Sequence, residues 1–331
     1  MTNALCSGSF MCDIIASGLP GLGEPGGLTY APNGIKLHPG GHAANVAIDL
    51  AQLGKSHIAA VGCLGDDLLG DYMESTLKEN DVNVKAERLK GINTSKNIVL
   101  VVKGEDRRFY AELAANTMLS PGHIISTLKD THPKTFYQGT VGGLRFLDVR
   151  LSEVLGEARK QGCLTVVDIV EPHDDGWRDL KASYSLIDVL HCNDDESLIL
   201  TNEKEPLAAI NQIMEQGVKM CTITMGDEGL IAAVGDIRLK MPSLTVDAVD
   251  PTGAGDAFCA GIIDALLEAE INGKNLQTIK TDMLKGILLR GASAGAACVT
   301  ASGASTAVTE ENVNRLIQEQ ADTVLAETLV I

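Results

Sequence analysis

The run Asp250-Pro251-Thr252-Gly253-Ala254-Gly255-Asp256-Ala257-Phe258 places a carboxylate directly after a Gly-Ala-Gly turn. Downstream, Ala257, Ile262, Ala265, Leu266 and Ala269 recur at helical spacing, so a helix starts near Asp256. Gly253, Ala254 and Gly255 then sit at its N-terminus, where unpaired N–H groups and the helix dipole act together on an anion. A carboxylate beside an anion hole is electrostatically expensive. Transfer of a phosphoryl group to a hydroxyl needs that pairing, a base next to a site of developing negative charge. The same residues also suit a plainer arrangement, with Asp256 capping the helix and the glycines only turning the chain.

A second stretch carries related signals: Gly40-Gly41-His42-Ala43-Ala44-Asn45, then Leu53-Gly54, then Gly62-Cys-Leu-Gly65-Asp66-Asp67-Leu-Leu-Gly70. Between the two stretches lie Asn193-Asp-Asp-Glu196 and Thr224-Met-Gly226-Asp-Glu-Gly229, and an Ala-rich run ends at Gly303-Ala304. In order and spacing this set resembles the ribokinase family, the phosphofructokinase-B-type carbohydrate and nucleoside kinases, over most of the chain. Pro251 stands where many members have Thr, which stiffens the approach to the turn.

The resemblance implies roles at the matching positions. Asp256 would be the general base, and Gly253, Ala254 and Gly255 the anion hole for the migrating phosphoryl group. Asn193 and Glu196 would help place Mg2+ and its waters, which need few protein oxygens; a solvated carboxylate at a helix start is the plainer reading of Glu196. Thr224, Gly226 and Gly229 would border the ATP phosphates and ribose, and residues 292–297 with Gly303 the adenine. Asp250 and the backbone of Thr252 fall where some members hold a monovalent cation such as K+. On the acceptor side Asp13, Gly40, Gly41, Asn45 and Asn116 would contact the substrate, although the family's Gly-Ala-Asn reads Ala114-Ala115-Asn116 here.

Other residues weigh on the acceptor. A nucleoside needs flat stacking partners, for which Phe10, Tyr30, Phe109 and Tyr110 are candidates, but an aromatic share of 3% favours a sugar or polyol. A phosphorylated sugar needs an Arg/Lys clamp, for which Lys36, Lys96, Arg107 and Arg108 are candidates. His42 either touches substrate or fills its turn. Gly54-Lys55-Ser56 is not a P-loop, because Asp49 occupies the position that must be Gly.

These residues need a scaffold, and its rhythm is visible. Apolar runs at 5–12, 56–61, 97–102, 135–137, 164–168, 189–192 and 220–224 read as strands. Helical patterns at 45–53, 151–161 and 206–216 are each followed by a glycine, Gly54, Gly162 or Gly217, at the position that needs a left-handed residue. Strand–helix–Gly–strand repetition argues a mainly parallel, buried sheet with helices on both faces. With the family resemblance, the expected fold is a ribokinase-like three-layer α/β/α sandwich formed by one domain over residues 1–331. Asp13 would end the first strand, and segments 14–38 and 96–112 would form a small β lid with a turn at Gly104–Asp106.

Net charge is −17, which disfavours nucleic-acid and anionic membrane partners without forbidding a small anion held by backbone N–H groups. The first basic residue is Lys36 and Asp13 interrupts the first apolar run, so neither a secretory signal nor a membrane span is expected. Eight scattered cysteines read as reduced thiols, hence a cytoplasmic protein. The expected activity is ATP- and Mg2+-dependent phosphorylation of a small sugar or polyol, by a homodimer paired through the lid. A nucleoside kinase of the same fold and a non-catalytic ligand-binding relative are the alternatives.

Overall fold

The computed structural model describes residues 2–105, 108–172 and 176–331. In chain order its strands are β1 (Ala4–Ser7), β2 (Met11–Leu19), β3 (Ile35–Gly40), β4 (Ile58–Gly65), β5 (Val82–Leu89), β6 (Lys96–Val102) and β7 (Arg108–Glu112). Then follow β8 (Thr135–Val141), β9 (Leu164–Ile169), β10 (Val189–Asn193), β11 (Met220–Thr224), β12 (Leu230–Val234), β13 (Ile237–Met241) and β14 (Leu329–Val330). Ten of them form one sheet in the order β14-β13-β12-β11-β10-β9-β8-β1-β4-β5, and four form a second in the order β3-β2-β6-β7. The seven strands from β11 to β5 pair in parallel, and β12 to β14 complete one edge antiparallel.

The parallel strands are apolar on both faces because helices cover both. Along β4, Ile58 and Ala60 join one buried cluster while Ala59, Val61 and Cys63 join the other, as the two-residue side-chain period requires. The first cluster packs against the helices His42–Gln52, Ala254–Glu268 and Thr281–Cys298, the second against Pro121–Thr131, Leu151–Lys160 and Pro206–Glu215. Gly54, Gly162 and Gly217 all have positive φ after their helices, as expected. Helices Ala254–Glu268 and Thr281–Cys298 meet through small residues: a Cβ on Gly261 would lie 2.7 Å from the Arg290 carbonyl oxygen. That close seating fixes the start of the Ala254 helix at the carboxyl end of the parallel strands.

The first apolar run is not one strand. It breaks after Ser7: β1 stays in the large sheet, while β2 belongs to the small one. Gly8 takes φ 148°, and a Cβ there would come 3.0 Å from the Gly139 carbonyl oxygen. Phe10 turns into the core, where its ring occupies the space a Gly62 Cβ would need. Asp13 therefore lies within β2, not at the end of the first strand. The 97–102 run likewise falls in the small sheet, as β6. The expected turn at Gly104–Asp106 lies partly outside the described residues. The small sheet draws its strands from residues 11–40 and 96–112, with an irregular loop at 20–34 between β2 and β3. Strand β1 has β4 on one side and β8 on the other, so the connection order reverses there, the place where open α/β sheets hold ligands.

Candidate active site

The turn before the Ala254 helix has the conformation its glycine permits. Gly253 is left-handed, φ 83°, and caps the helix. Ala257 N–H closes the first helical bond on the Gly253 carbonyl at 2.8 Å, which leaves the N–H groups of Gly255 and Asp256 without an intrahelical carbonyl. Asp250 fastens the turn: Oδ1 accepts from Thr252 N–H (3.0 Å) and Oγ1–H (2.7 Å), and Oδ2 accepts from Gly303 N–H (3.4 Å).

Asp256 is buried, and its Oδ2 accepts from Asn45 Nδ2 at 2.8 Å. Burial pushes its carboxyl above the usual range, opposed by the neighbouring His42. His42 Nδ1 lies 3.5 Å from Asp256 Oδ1 and 3.3 Å from Asp168 Oδ2. Asp168 also accepts from Tyr137 Oη–H at 2.9 Å and from His191 Nδ1–H at 2.8 Å. Burial alone would raise Asp168, but His191 and His42 outweigh it and hold the carboxyl well below the ordinary range. His191 continues to Thr224, Nε2 to Oγ1 3.2 Å, and tilts over Phe258 with ring centroids 5.2 Å apart. One polar chain thus runs from Asn45 to Thr224 through both sequence motifs, hydrogen-bonded from Asn45 to Asp256 and from Asp168 through His191 to Thr224, with His42 at ion-pair distance between the two carboxylates.

Thr224, Gly226 and Gly229 line a cavity of about 330 Å³ together with Ala254, Gly255, Leu244, Val246, Ala292, Gly295, Ala296 and Val299. Gly303 does not line it. It faces a smaller cavity of about 130 Å³ with His38, Ser305 and Thr306, and a Cβ on Gly303 would lie 2.6 Å from His38 Nδ1. Asn193 and Glu196 make a reciprocal capping box, Glu196 N–H to Asn193 Oδ1 at 2.7 Å and Asn193 N–H to Glu196 Oε2 at 2.8 Å. Burial pushes the Glu196 carboxyl up.

Residues 1–311 match the profile of the pfkB family carbohydrate kinases. The chain belongs to that family. Among curated relatives it is 28% identical over 313 residues to probable fructokinase-4 of Arabidopsis thaliana, covering 88% of this chain and 90% of that one. It is also 28% identical over 287 residues to the aminoimidazole riboside kinase of Salmonella typhimurium, covering 82% and 84%. Among solved structures, fructokinase with bound ATP from Xylella fastidiosa superposes with TM-score 0.81 at 24% identity, covering 96% of this chain and 99% of the other. Ribokinase from Giardia lamblia gives 0.82 at 17% identity, covering 96% and 100%. These likenesses establish the ribokinase-like fold and a phosphotransferase acting on an alcohol group.

In this pfkB-family kinase the small sheet carries Asp13 beside Asn97 and His38, its register partners on β6 and β3. Asn97 Nδ2 donates to Asp13 Oδ1 at 2.9 Å, and a Cβ on Gly40 would sit 2.3 Å from Asp13 Oδ2. Burial pushes Asp13 up to about 6, with Asn97 opposing and Asp250 and Asp256 adding repulsion. Gly41, φ 89°, caps the His42 helix where a Cβ would strike the Ser9 carbonyl oxygen at 2.5 Å. Asn116 Oδ1 accepts from Phe10 N–H at 3.0 Å and so braces the crossing from β1 to β2.

Several sequence candidates fall outside this constellation. Phe10 is fully buried and offers no stacking face, whereas Tyr30, Phe109 and Tyr110 are exposed. Lys96 is paired with Glu112 and Arg108 with Glu105; Arg107 lies outside the described residues, and Lys36 is exposed on β3. Asp168, Tyr137 and His191 escaped the sequence reading. The available signal was position: Asp168 and His191 stand near the carboxyl ends of the apolar runs 164–168 and 189–192. Among the described residues no helix is long and apolar enough to cross a membrane, and all eight cysteines are free and buried.

Proposed function

We propose that this kinase transfers the γ-phosphoryl group of ATP to a hydroxyl of a small neutral sugar or polyol, with Asp256 as general base and Gly253-Ala254-Gly255 as anion hole. The observation that carries the reading is a buried carboxylate set on the same helical turn as unsatisfied N–H groups. Asp256 accepts the hydroxyl proton while those donors take the charge developing on the phosphoryl oxygens. Losing one such donor costs about 3 kcal/mol in comparable sites.

Asp13, Gly40, Gly41, Asn45 and Asn116 are assigned to the acceptor. Asn45 Oδ1, Asn116 Nδ2 and Asp256 Oδ1 are buried without hydrogen-bond partners, the condition that substrate hydroxyls relieve. A neutral acceptor is favoured because the charges of Asp250 and Asp256 already bear on Asp13 there, while Lys96 and Arg108 are already paired. The resemblance to fructokinases points the same way. The resemblance to an aminoimidazole riboside kinase, with Tyr30 and Phe109 exposed, supports a nucleoside acceptor as second reading.

Thr224, Gly226, Gly229 and the Ala292–Ala296 wall are assigned to the nucleotide; Gly303 is assigned with them on resemblance alone. Glu196 spends one carboxylate oxygen on Asn193 N–H and retains the other, a hard-oxygen donor suited to hydrated Mg2+. Mg2+ at that position would neutralise charge on the phosphates. Asp250 and Thr252 supply oxygens of the kind K+ takes, and higher turnover in K+ than in choline at equal ionic strength tests it. The small sheet is assigned as a lid over the acceptor, within one domain spanning the chain. Its outward row Leu37, Ile98 and Tyr110 is exposed and is assigned to a homodimer contact, which gel filtration checks. Buried thiols fit a cytoplasmic location.

ADP release over a panel of hexoses, pentoses, polyols, sugar acids, sugar phosphates and nucleosides tests the acceptor. Asp256→Asn should lower kcat by roughly 10²-fold or more with ATP binding retained, and near-normal turnover would remove the assigned base.

A further inference from the structure

We propose that His42 is a positioning residue for the base: its imidazolium, seated between Asp168 and Asp256, keeps the Asp256 carboxylate ionised until it takes the acceptor's proton. The inference rests on the assignment of Asp256 given above and adds what makes that assignment electrostatically workable.

The seat for the ring is built. Its backbone N–H donates to Ser9 Oγ at 3.2 Å, and a Cβ on Gly139 would fall 2.5 Å from the His42 Cβ. The next residue, Thr140, is left-handed with φ 59°, a costly conformation for a β-branched side chain. That strain brings Thr140 N–H to 3.3 Å from His42 Nδ1.

The ring nitrogen therefore faces one amide and two carboxylates, and the two kinds of neighbour ask for opposite protonation states. A neutral ring accepts from Thr140 N–H. A charged ring donates to Asp168 or Asp256. Two full negative charges outweigh one amide dipole and the half-charge of the helix end on which His42 sits. Burial would lower His42, yet Asp256 and Asp168 push it up to about 9.

The remaining charges explain why a cation is needed. Glu196 of the Asp194–Thr201 helix acts on His42 too, and His191 of β10 and Tyr137 of β8 reach it through Asp168. Asp13 of β2, Asp49 of the same helix as His42, and Cys259 of the Ala254 helix also feel Asp256, and Asp13 feels Asp250. Among the described residues lining the large cavity there is no Lys or Arg. A carboxylate buried among so many like charges would hold its proton and be useless as a base. His191 also lowers Asp256 by its charge, but its two nitrogens are turned to Asp168 and Thr224, so it makes no contact with the base. Asp256 Oδ1, otherwise unpartnered, has His42 as its near cation.

NMR titration of the histidine ring Cε1–H resonances in the full chain tests this without any acceptor. One resonance, identified by its loss in His42→Gln, should titrate near pH 9 and move down by at least one pH unit in Asp256→Asn. Titration at or below pH 6.5, or a midpoint indifferent to Asp256→Asn, overturns the proposal. The kinetic arm uses ATP and a neutral sugar that the wild type turns over. There His42→Gln should move the acid limb of kcat up by about a unit or more, and His42→Lys should return it. A lower kcat with an unmoved limb means a purely structural role and also overturns it. Wild-type turnover of no neutral sugar counts against the proposed acceptor instead, and the titration still decides His42. Should His42→Gln fail to fold, His42→Lys supplies the identification, since it removes the same resonance while His191, which Asp168 also holds, keeps its own.

Discussion

Asn45 Nδ2 and Asp256 Oδ2 are 2.8 Å apart and 211 residues apart in sequence. The contact ties the N-terminal motif to the C-terminal one and fixes the carboxylate's orientation. A hydrogen bond to a charged group contributes about 1.5–3 kcal/mol. Asn45→Ala should therefore lower kcat by roughly 10- to 100-fold, with a smaller change in KM for the acceptor. Steady-state kinetics at saturating ATP separates the two, and an effect confined to KM would show that Asn45 serves the acceptor alone.

Two glycines of the turn should respond differently to the same methyl group. In Gly253→Ala the new Cβ would meet the Ala304 Cβ at 2.4 Å, in a left-handed residue. The turn must shift, and kcat should fall by on the order of 10²-fold or more, in line with losing anion-hole donors. In Gly255→Ala the nearest atom is His191 Cε1 at 3.2 Å, so less than about a tenfold loss is expected. Equal losses in both variants would mean that backbone donors are not what the turn contributes.

The pH dependence follows from two carboxyls that must be ionised to act. Burial raises Asp256, so kcat should decline with acidity above the usual carboxylate range of about 3.9. Asp13, pushed up to about 6, can accept hydrogen bonds from hydroxyls at both its oxygens only once deprotonated. Acceptor kcat/KM should then rise through about pH 6 and level off above it. An acceptor kcat/KM flat from pH 5 to 8 would contradict the assignment of Asp13.

Asp49 offers a stability test away from turnover. It is fully buried, neither carboxylate oxygen makes a well-formed hydrogen bond, and burial holds its carboxyl well above the usual range. The folded chain keeps this proton at pH values where the unfolded chain has released it, so the cost is present at neutral pH and vanishes in acid. Asp49→Asn should raise the melting temperature near pH 7, by roughly 1–2 °C per kcal/mol relieved, and leave it unchanged below about pH 4. An equal gain at both pH values would trace the effect to packing.

What the sequence disclosed, and what it hid, divides by range. The Gly253 turn was legible because glycine, carboxylate and helical spacing are neighbours in the chain. The break between β1 and β2 was less plain: Ser7-Gly8-Ser9 interrupts the run from Leu5 to Cys12, but apolar residues flank it on both sides and both halves are buried. The β12–β13 hairpin was missed although Gly235-Asp236 is a two-residue turn signal. The Asp168–His191 pair was beyond local reading. It exists only because β9 and β10 lie side by side with Asp168 and His191 in register.

The proposed nucleotide slot is walled by Val246, Ala292, Ala296 and Val299. Such aliphatic walls grip a flat ring by its faces and give no preference between one purine and another. Any such preference would then rest on the few polar side chains in the same lining, Asp227 and Ser243 among them.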